Sequence, residues 1–228
     1  MKKKILAVIA ARKNSKGLKN KNLVKINSKP CISWTLKAAQ KSKLIDLAIL
    51  STDSEKVIKI AKKMKILAPF IRPSKLSKDN SSIVDVIWHA IKWLKKNKSF
   101  DYEYVILLQA SSPLRTHKHI DDSIKYYFKN SYNHKETLVS VNKAPAKSFW
   151  LLRKKGKYVN FVFKQKNSFK RKNNPIFFIP NGAIFFSKIK HLKKNFYSKR
   201  TLFYEMNERS SVDIDSIEDV KKINNYYE

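Results

Sequence analysis

Cysteine is nearly absent from this chain. The single Cys31 has no intramolecular partner, which excludes a disulfide-stapled scaffold and fits a reducing, cytoplasmic compartment. Its plain role is that of a small apolar residue at the start of a helix. Glycine is almost as scarce, three in 228 residues, and neither a GxxxxGK[ST] phosphate loop nor a GxGxxG dinucleotide turn is present. No apolar stretch approaches the roughly 18 residues of a membrane span, so no membrane partner is expected. The opening MKKKILAVIAARKNSKG has the basic tip of a secretory leader, but its apolar run is short and Arg12 and Lys13 break it, so it is read as a first buried strand. Acidic residues are few: 17 against 50 lysines and arginines, a formal net charge of +33. Such an excess raises nucleic acid as a partner. Arginine, however, supplies only seven of the 50, and the lysines are scattered over nearly every segment, whereas a base or phosphate reader favours arginine forks. No specific nucleic-acid partner is expected; the basic nucleic-acid-binding protein is the alternative from another class.

What is present is an alternating pattern. Ile5 to Ala11 reads as a central strand buried on both faces, followed by a polar loop. Pro30 fits the first turn of a helix striped by Ile32, Leu36 and Ala39 to about Lys43. Leu47 to Leu50 reads as a strand ended by Ser51 to Asp53, and Asp53 or Ser54 can cap the helix carrying Val57, Ile58 and Ala61. Residues 68–82 form a structured loop with two prolines, and helix Asp85 to Lys96, strand Tyr104 to Leu108, helix His119 to Phe128 and strand Thr137 to Val141 follow. This rhythm predicts a doubly wound α/β domain with a mainly parallel sheet. From Pro145 to Pro180 the rhythm gives way to short aromatic runs, read as an extended β-rich arm. Apolar side chains on such an arm favour docking on a second subunit, and a local core explains them equally well. The expected organisation is a core over 1–144, an arm over 145–180 and a return to the core over 181–228, with strand Gly182 to Phe186 and a closing helix from near Ser216 through Ile217 to Tyr226.

Three stretches carry chemistry. AARKNSKGLKNKN at 10–22 follows the first strand and surrounds Gly17 with Arg12, Lys13, Lys16, Lys19 and Lys21, so that cations and backbone amides can enclose a triphosphate; a solvated basic loop is the bland alternative. SVDIDSIEDV at 211–220 puts Asp213 and Asp215 on alternate positions, able to face a magnesium ion together, although Asp215 can also simply cap the last helix. LLQASSPLRT at 107–116 offers Gln109 to a sugar hydroxyl or amide; Ser111 to Pro113 also suit a turn, and Arg115 suits either an anion or a structural ion pair.

Together with STD at 51–53, RPSKLSKD at 72–79 and PNGAIFF at 180–186, these stretches resemble, in order and spacing, the acylneuraminate (CMP-sialic acid) cytidylyltransferases, from Ile5 to about Val220. Kdo-activating relatives fit less well, because they lack the NSKG and KN elements of the opening loop. The resemblance implies an α/β nucleotidyltransferase fold, usually a homodimer whose arm completes the neighbouring site. It implies CTP, Mg2+ and a nine-carbon ulosonic acid as reactants. By position, Arg12, Lys16, Lys21 and Asn22 would hold the nucleotide and triphosphate, with Arg72 and the Asp79 to Ser82 loop beside base and ribose. Gln109, Lys147 and Arg171 would contact the sugar. Asp213 and Asp215 would bind the metal, and Arg12, Lys21 and Asp215 would carry catalysis, Asp215 as candidate proton acceptor. Phe185 stands where the family typically has tyrosine and Ile179 where some members have arginine. An apolar sugar pocket, better suited to legionaminic or pseudaminic acid than to neuraminate, is therefore expected.

Overall fold

The strand β1 (Ile5–Ala11) is buried along its length because its side chains alternate between two apolar layers. Ile5, Ala7, Ile9 and Ala11 face one layer, Leu6 and Val8 the other. This is how the computed structural model of the chain, which describes residues 3–14, 17–163 and 175–227, is built from its centre outward. Lys16 and Arg171 lie outside the described residues. A small pair, β2 (Lys25–Ile26) and β3 (Lys29–Pro30), leads into α1 (Cys31–Lys41); β4 (Leu47–Thr52), α2 (Glu55–Lys63), α3 (Ile83–Asn97), β5 (Tyr104–Gln109), α4 (His117–Asn130) and β6 (Thr137–Lys143) follow. Beyond these come β7 (Leu152–Lys155), β8 (Tyr158–Phe161), β9 (Phe178–Lys188), β10 (Thr201–Glu205) and α5 (Ile217–Asn224).

The main sheet has the order β10-β6-β9-β5-β1-β4. β1 pairs in parallel with β4 and β5, and β10 with β6, while β9 runs antiparallel between β5 and β6. Helices α1, α2 and α4 cover one face through residues such as Leu36, Val57 and Ile124; α3 covers the other through Ile87, Ile91 and Leu94. The chain leaves β1 towards β4 and returns on its other side as β5. The carboxyl ends of these three strands thus flank a reversal of strand order, the position where open α/β sheets bind ligands.

Several boundaries differ from the sequence reading, each for a physical reason. β10 was not anticipated; it is a short edge strand, half exposed, whose TLFYE pattern is too brief to announce itself. β9 begins at Phe178, with Ile179 opposite Asn142 and Pro180 opposite Val141, so the main sheet already takes up the last residues assigned to the arm. The register shifts between Val139 and Val141, where Pro180 has no N–H to give the ladder. Neither Asp53 nor Ser54 makes a side-chain cap on α2. α4 starts earlier than expected because Thr116 and His119 form a reciprocal capping box. Within the arm, β7 and β8 form a separate antiparallel hairpin around Gly156, whose φ of +63° suits a residue without a Cβ. All of its strand residues are exposed.

Candidate functional site

A cavity of about 290 Å³ opens at the carboxyl ends of β1 and β5, lined among others by Arg12, Lys21, Asn22, Arg72, Asp79 and Gln109. The loop after β1 is pinned rather than free. Buried Asn22 donates from Nδ2 to the Arg12 carbonyl at 2.8 Å, and the Lys13 N–H donates to Asp53 Oδ1 at 2.6 Å. Arg12 itself forms an ion pair with Asp79 across the cavity mouth. Asn20 enters the turn at φ 56°, left-handed backbone that asparagine tolerates.

The two most distant motifs meet here. Lys21 Nζ lies 2.9 Å from Asp215 Oδ1. A Cβ on Gly17 would stand 2.3 Å from the Asp215 carbonyl oxygen, so the loop can approach this backbone only because residue 17 is glycine. The Ile214 N–H donates to the Ser111 carbonyl at 3.0 Å, and Ile214 is fully buried, which anchors both flanking aspartates beside the end of β5. Their environments differ. Burial pushes the Asp213 carboxyl above its usual range, opposed by a Ser111 hydrogen bond and Lys21 and reinforced by Asp215. The Asp215 side chain is 73% exposed, free to meet a ligand from solvent. Asp215 is not the helix cap: Ser216 caps α5, and Asp219 accepts from the backbone N–H groups of Asp215 and Ser216.

Arg72 is buried, with Nε donating to Ser77 Oγ at 3.0 Å and Nη2 3.7 Å from Asp53. It thereby braces the 68–82 loop against the end of β4. Burial, ahead of the opposing pull of Asp53, lowers its pKa. Ser82 stands one residue off the lining, at the N-cap of α3, and its neighbour Ser81 lines the cavity instead. Gln109 ends β5 with its side chain against Gly182, where an added Cβ would come within 3.3 Å of Oε1.

Three placements depart from expectation. Phe185 is not a pocket wall: its ring is buried on the face that α3 covers, 5.3 Å from the Phe196 ring, because residue alternation along β9 sends it to the core. Ile179 is exposed and does not line the cavity either, which removes the basis of an apolar sugar pocket. Lys147 lies on a 3-10 turn, Ala146–Trp150, and lines a separate cavity of about 390 Å³ with Trp150 and Phe177. Arg115 makes no ion pair among the described residues. It is fully buried, and its Nη1 donates to the carbonyls of Gln109 and Ala183 at 3.0 and 2.9 Å, tying β5 to β9.

Sequence reasoning missed Asp53 as a brace of both the β1 loop and Arg72. A carboxylate at the end of a strand beside a basic loop was the available signal. It also missed the contact between Gly182 and Gln109, which no local pattern reveals.

A cytidylyltransferase family model matches residues 6–228. The chain is 35% identical over 219 residues to the N-acylneuraminate cytidylyltransferase of Escherichia coli O18:K1:H7, covering 94% of this chain and 50% of that one. It is 33% identical to the CMP-N,N'-diacetyllegionaminic acid synthase of Legionella pneumophila, covering 93% and 91% respectively. The chain thus spans about half the length of the Escherichia coli relative. In fold it is similar to a CMP:2-keto-3-deoxy-manno-octonic acid synthetase complexed with CTP, with a TM-score of 0.72 over 98% of both chains at 14% identity. With the family match running through the basic loop, the β5 end and the paired aspartates alike, the chain belongs to the cytidylyltransferase family.

Proposed function

We propose that this chain transfers a cytidylyl group from CTP to the anomeric hydroxyl of a nine-carbon, sialic-acid-type sugar, releasing pyrophosphate. The observation that carries the reading is the convergence of the β1 loop with the 213–215 segment, through the Lys21–Asp215 pair and the Gly17 contact, beside Gln109 and a cavity. Arg12 and Lys21 are held by Asp79 and Asp215, and a triphosphate would compete for both cations. Gln109 offers an amide to the sugar, and Arg72 with the Asp79 loop borders the nucleotide end. The sugar oxygen attacks the α-phosphorus, its bond to phosphorus forms as the bond to the leaving pyrophosphate breaks, and Asp215 is the candidate acceptor of the hydroxyl proton.

Mg2+ is the expected cation, and the residues fit it. Asp213 and Asp215 are hard oxygen donors, and Asp213 Oδ1 is buried with no hydrogen-bond partner among the described residues. No cluster of three or more His, Cys, Asp or Glu able to hold a metal occurs among the described residues, so phosphate oxygens and water would complete the shell. When bound, the ion would offset negative charge on the phosphates. A homodimer is also part of this reading, supported by exposed Leu152, Tyr158, Val159 and Phe161 on the β7–β8 hairpin. Among the described residues no helix is long and apolar enough to cross a membrane.

The test is pyrophosphate release from CTP and magnesium with a panel of nine-carbon ulosonic acids. Release with at least one acid is expected; release with none would end the reading. The same reaction on legionaminic or pseudaminic acid is the second reading, favoured by the similarity to the Legionella pneumophila synthase. The ratio of kcat/KM for N-acetylneuraminate and diacetyllegionaminate under identical conditions separates the two.

A further inference from the structure

The parallel register of β1 and β4 pairs Ala11 with Thr52, so Arg12 and Asp53 leave the sheet side by side as the first residues of their loops. One peptide unit is held at both of its polar groups as a result. The Arg12 carbonyl accepts from Asn22 Nδ2 at 2.8 Å, and the N–H of the same peptide plane, that of Lys13, donates to Asp53 Oδ1 at 2.6 Å. A planar peptide gripped at its carbonyl and its N–H cannot turn without losing a hydrogen bond, so the direction in which the Arg12 side chain departs is set from two sides. Asn22 is supplied by the loop itself. Asp53 comes from the end of the neighbouring strand and ties the loop to the sheet.

The same carboxylate oxygen faces the other wall of the cavity. Arg72 Nη2 lies 3.7 Å from Asp53 Oδ1, while the Arg72 N–H donates to the Thr52 carbonyl at 2.8 Å and its Nε to Ser77 Oγ. Burial lowers the Arg72 pKa, Asp53 opposes the fall and Arg12 adds to it, so the two guanidinium groups sense each other with Asp53 as a counter-charge. Arg12 and Arg72 both line the cavity, and Asp53 stays off the lining with its side chain 20% exposed. A carboxylate turned into the cavity would repel a phosphate; behind it, the same group acts through backbone and cation. We propose that Asp53 is a positioning residue for the nucleotide, aiming Arg12 through the Lys13 N–H and steadying the facing wall through Arg72. This rests on the reading that Arg12 receives the triphosphate. The two contacts have different requirements: the N–H needs an oxygen acceptor, and buried Arg72 needs a negative charge. Asparagine supplies only the first, and alanine supplies neither.

The test titrates the full chain, Asp53→Asn and Asp53→Ala with CTP in a calorimeter, with magnesium and without any sugar, and records the thermal midpoint of each protein. Asp53→Ala should weaken CTP by about tenfold or more, and Asp53→Asn should stay within about threefold of the wild type. Both should melt at lower temperature, because both leave buried Arg72 without its counter-charge. Affinity thus follows the acceptor while stability follows the charge. Equal weakening in the two variants would reduce Asp53 to a structural residue, and unchanged affinity in Asp53→Ala would equally overturn the inference. Since alanine strands a buried cation, the change is repeated on an Arg72→Met background, where no such cation remains. There Asp53→Ala should again weaken CTP by about tenfold relative to Arg72→Met alone, and no further loss would overturn the inference. Hydrogen exchange at the Lys13 amide reads the contact without nucleotide: protection should persist in Asp53→Asn and vanish in Asp53→Ala. Failure of the wild type to bind CTP would end the proposed function and this role with it, whereas CTP binding without turnover on any acid would sink the proposed reaction alone.

Discussion

One methyl group separates the observed loop from a displaced one. Gly17→Ala would drive a Cβ to 2.3 Å from the Asp215 carbonyl, and because that neighbour is backbone it cannot swing aside. Such overpacking costs about 1–3 kcal/mol when it must be absorbed, and here the surface loop can absorb it by moving away from Asp215. The expected result is a loss of turnover of about tenfold or more with little change in thermal midpoint, measured side by side. Asp213→Ala and Asp215→Ala should each lower kcat by orders of magnitude under the proposed function, because the triphosphate charge is left poorly compensated. Near-normal rates in both at saturating magnesium would remove them from the metal site. Cys31 is buried, donates to the Ala110 carbonyl at 3.2 Å, and is pushed by burial from the ordinary 9.0 to about 12. It should resist alkylation in the folded protein near pH 8 and react once the chain is unfolded. Above pH 9 the unfolded thiol loses its proton while the folded one keeps it. This group's contribution to stability is therefore present below pH 9 and fades as pH rises towards 12, which alkaline melts of the wild type and Cys31→Ala would reveal.

Among elements, α4 and α5 carry the same device with different consequences. Thr116 with His119 and Ser216 with Asp219 form reciprocal capping boxes, each worth about 1 kcal/mol, or roughly 2–4 °C in a domain of this size. Only Asp219 also accepts the Asp215 N–H, at 2.9 Å. Thr116→Ala and Asp219→Ala should therefore lower the melting temperature similarly, while Asp219→Ala alone should markedly lower kcat by loosening Asp215. Equal kinetic effects would mean that Asp219 acts only as a cap. The sequence left Asp215 open as either cap or metal ligand, because a helix start is readable to only a residue or two from composition. The tertiary structure gave the cap to Ser216 and left the Asp215 side chain facing solvent beside Lys21.

The whole molecule exposes apolar side chains on its β7–β8 hairpin, and a dimer built there would bury them. Light scattering coupled to size exclusion should report a dimer, shifted towards monomer by the double change Tyr158→Asp with Val159→Asp, with catalysis falling alongside if the arm completes a neighbouring site; a wild-type monomer would remove the interface from the reading. The excess of 33 positive charges predicts only weak duplex binding that disappears at physiological salt, because dispersed lysines act through counterion release without base readout. The alternation of helices and strands was legible in the sequence, since apolar periodicity and proline or serine at helix starts are local properties of the chain. So was the membership of Arg12, Lys21, Gln109, Asp213 and Asp215 in short polar segments next to strand ends. Only the tertiary structure decided that β9 inserts antiparallel between β5 and β6, that Phe185 faces the core and that Arg115 is a buried tie between strands. It alone joined Lys21 to Asp215 across 194 residues of sequence. Pairing order and the side of the sheet that a residue meets depend on what the distant chain places opposite it, and no local periodicity encodes that partner.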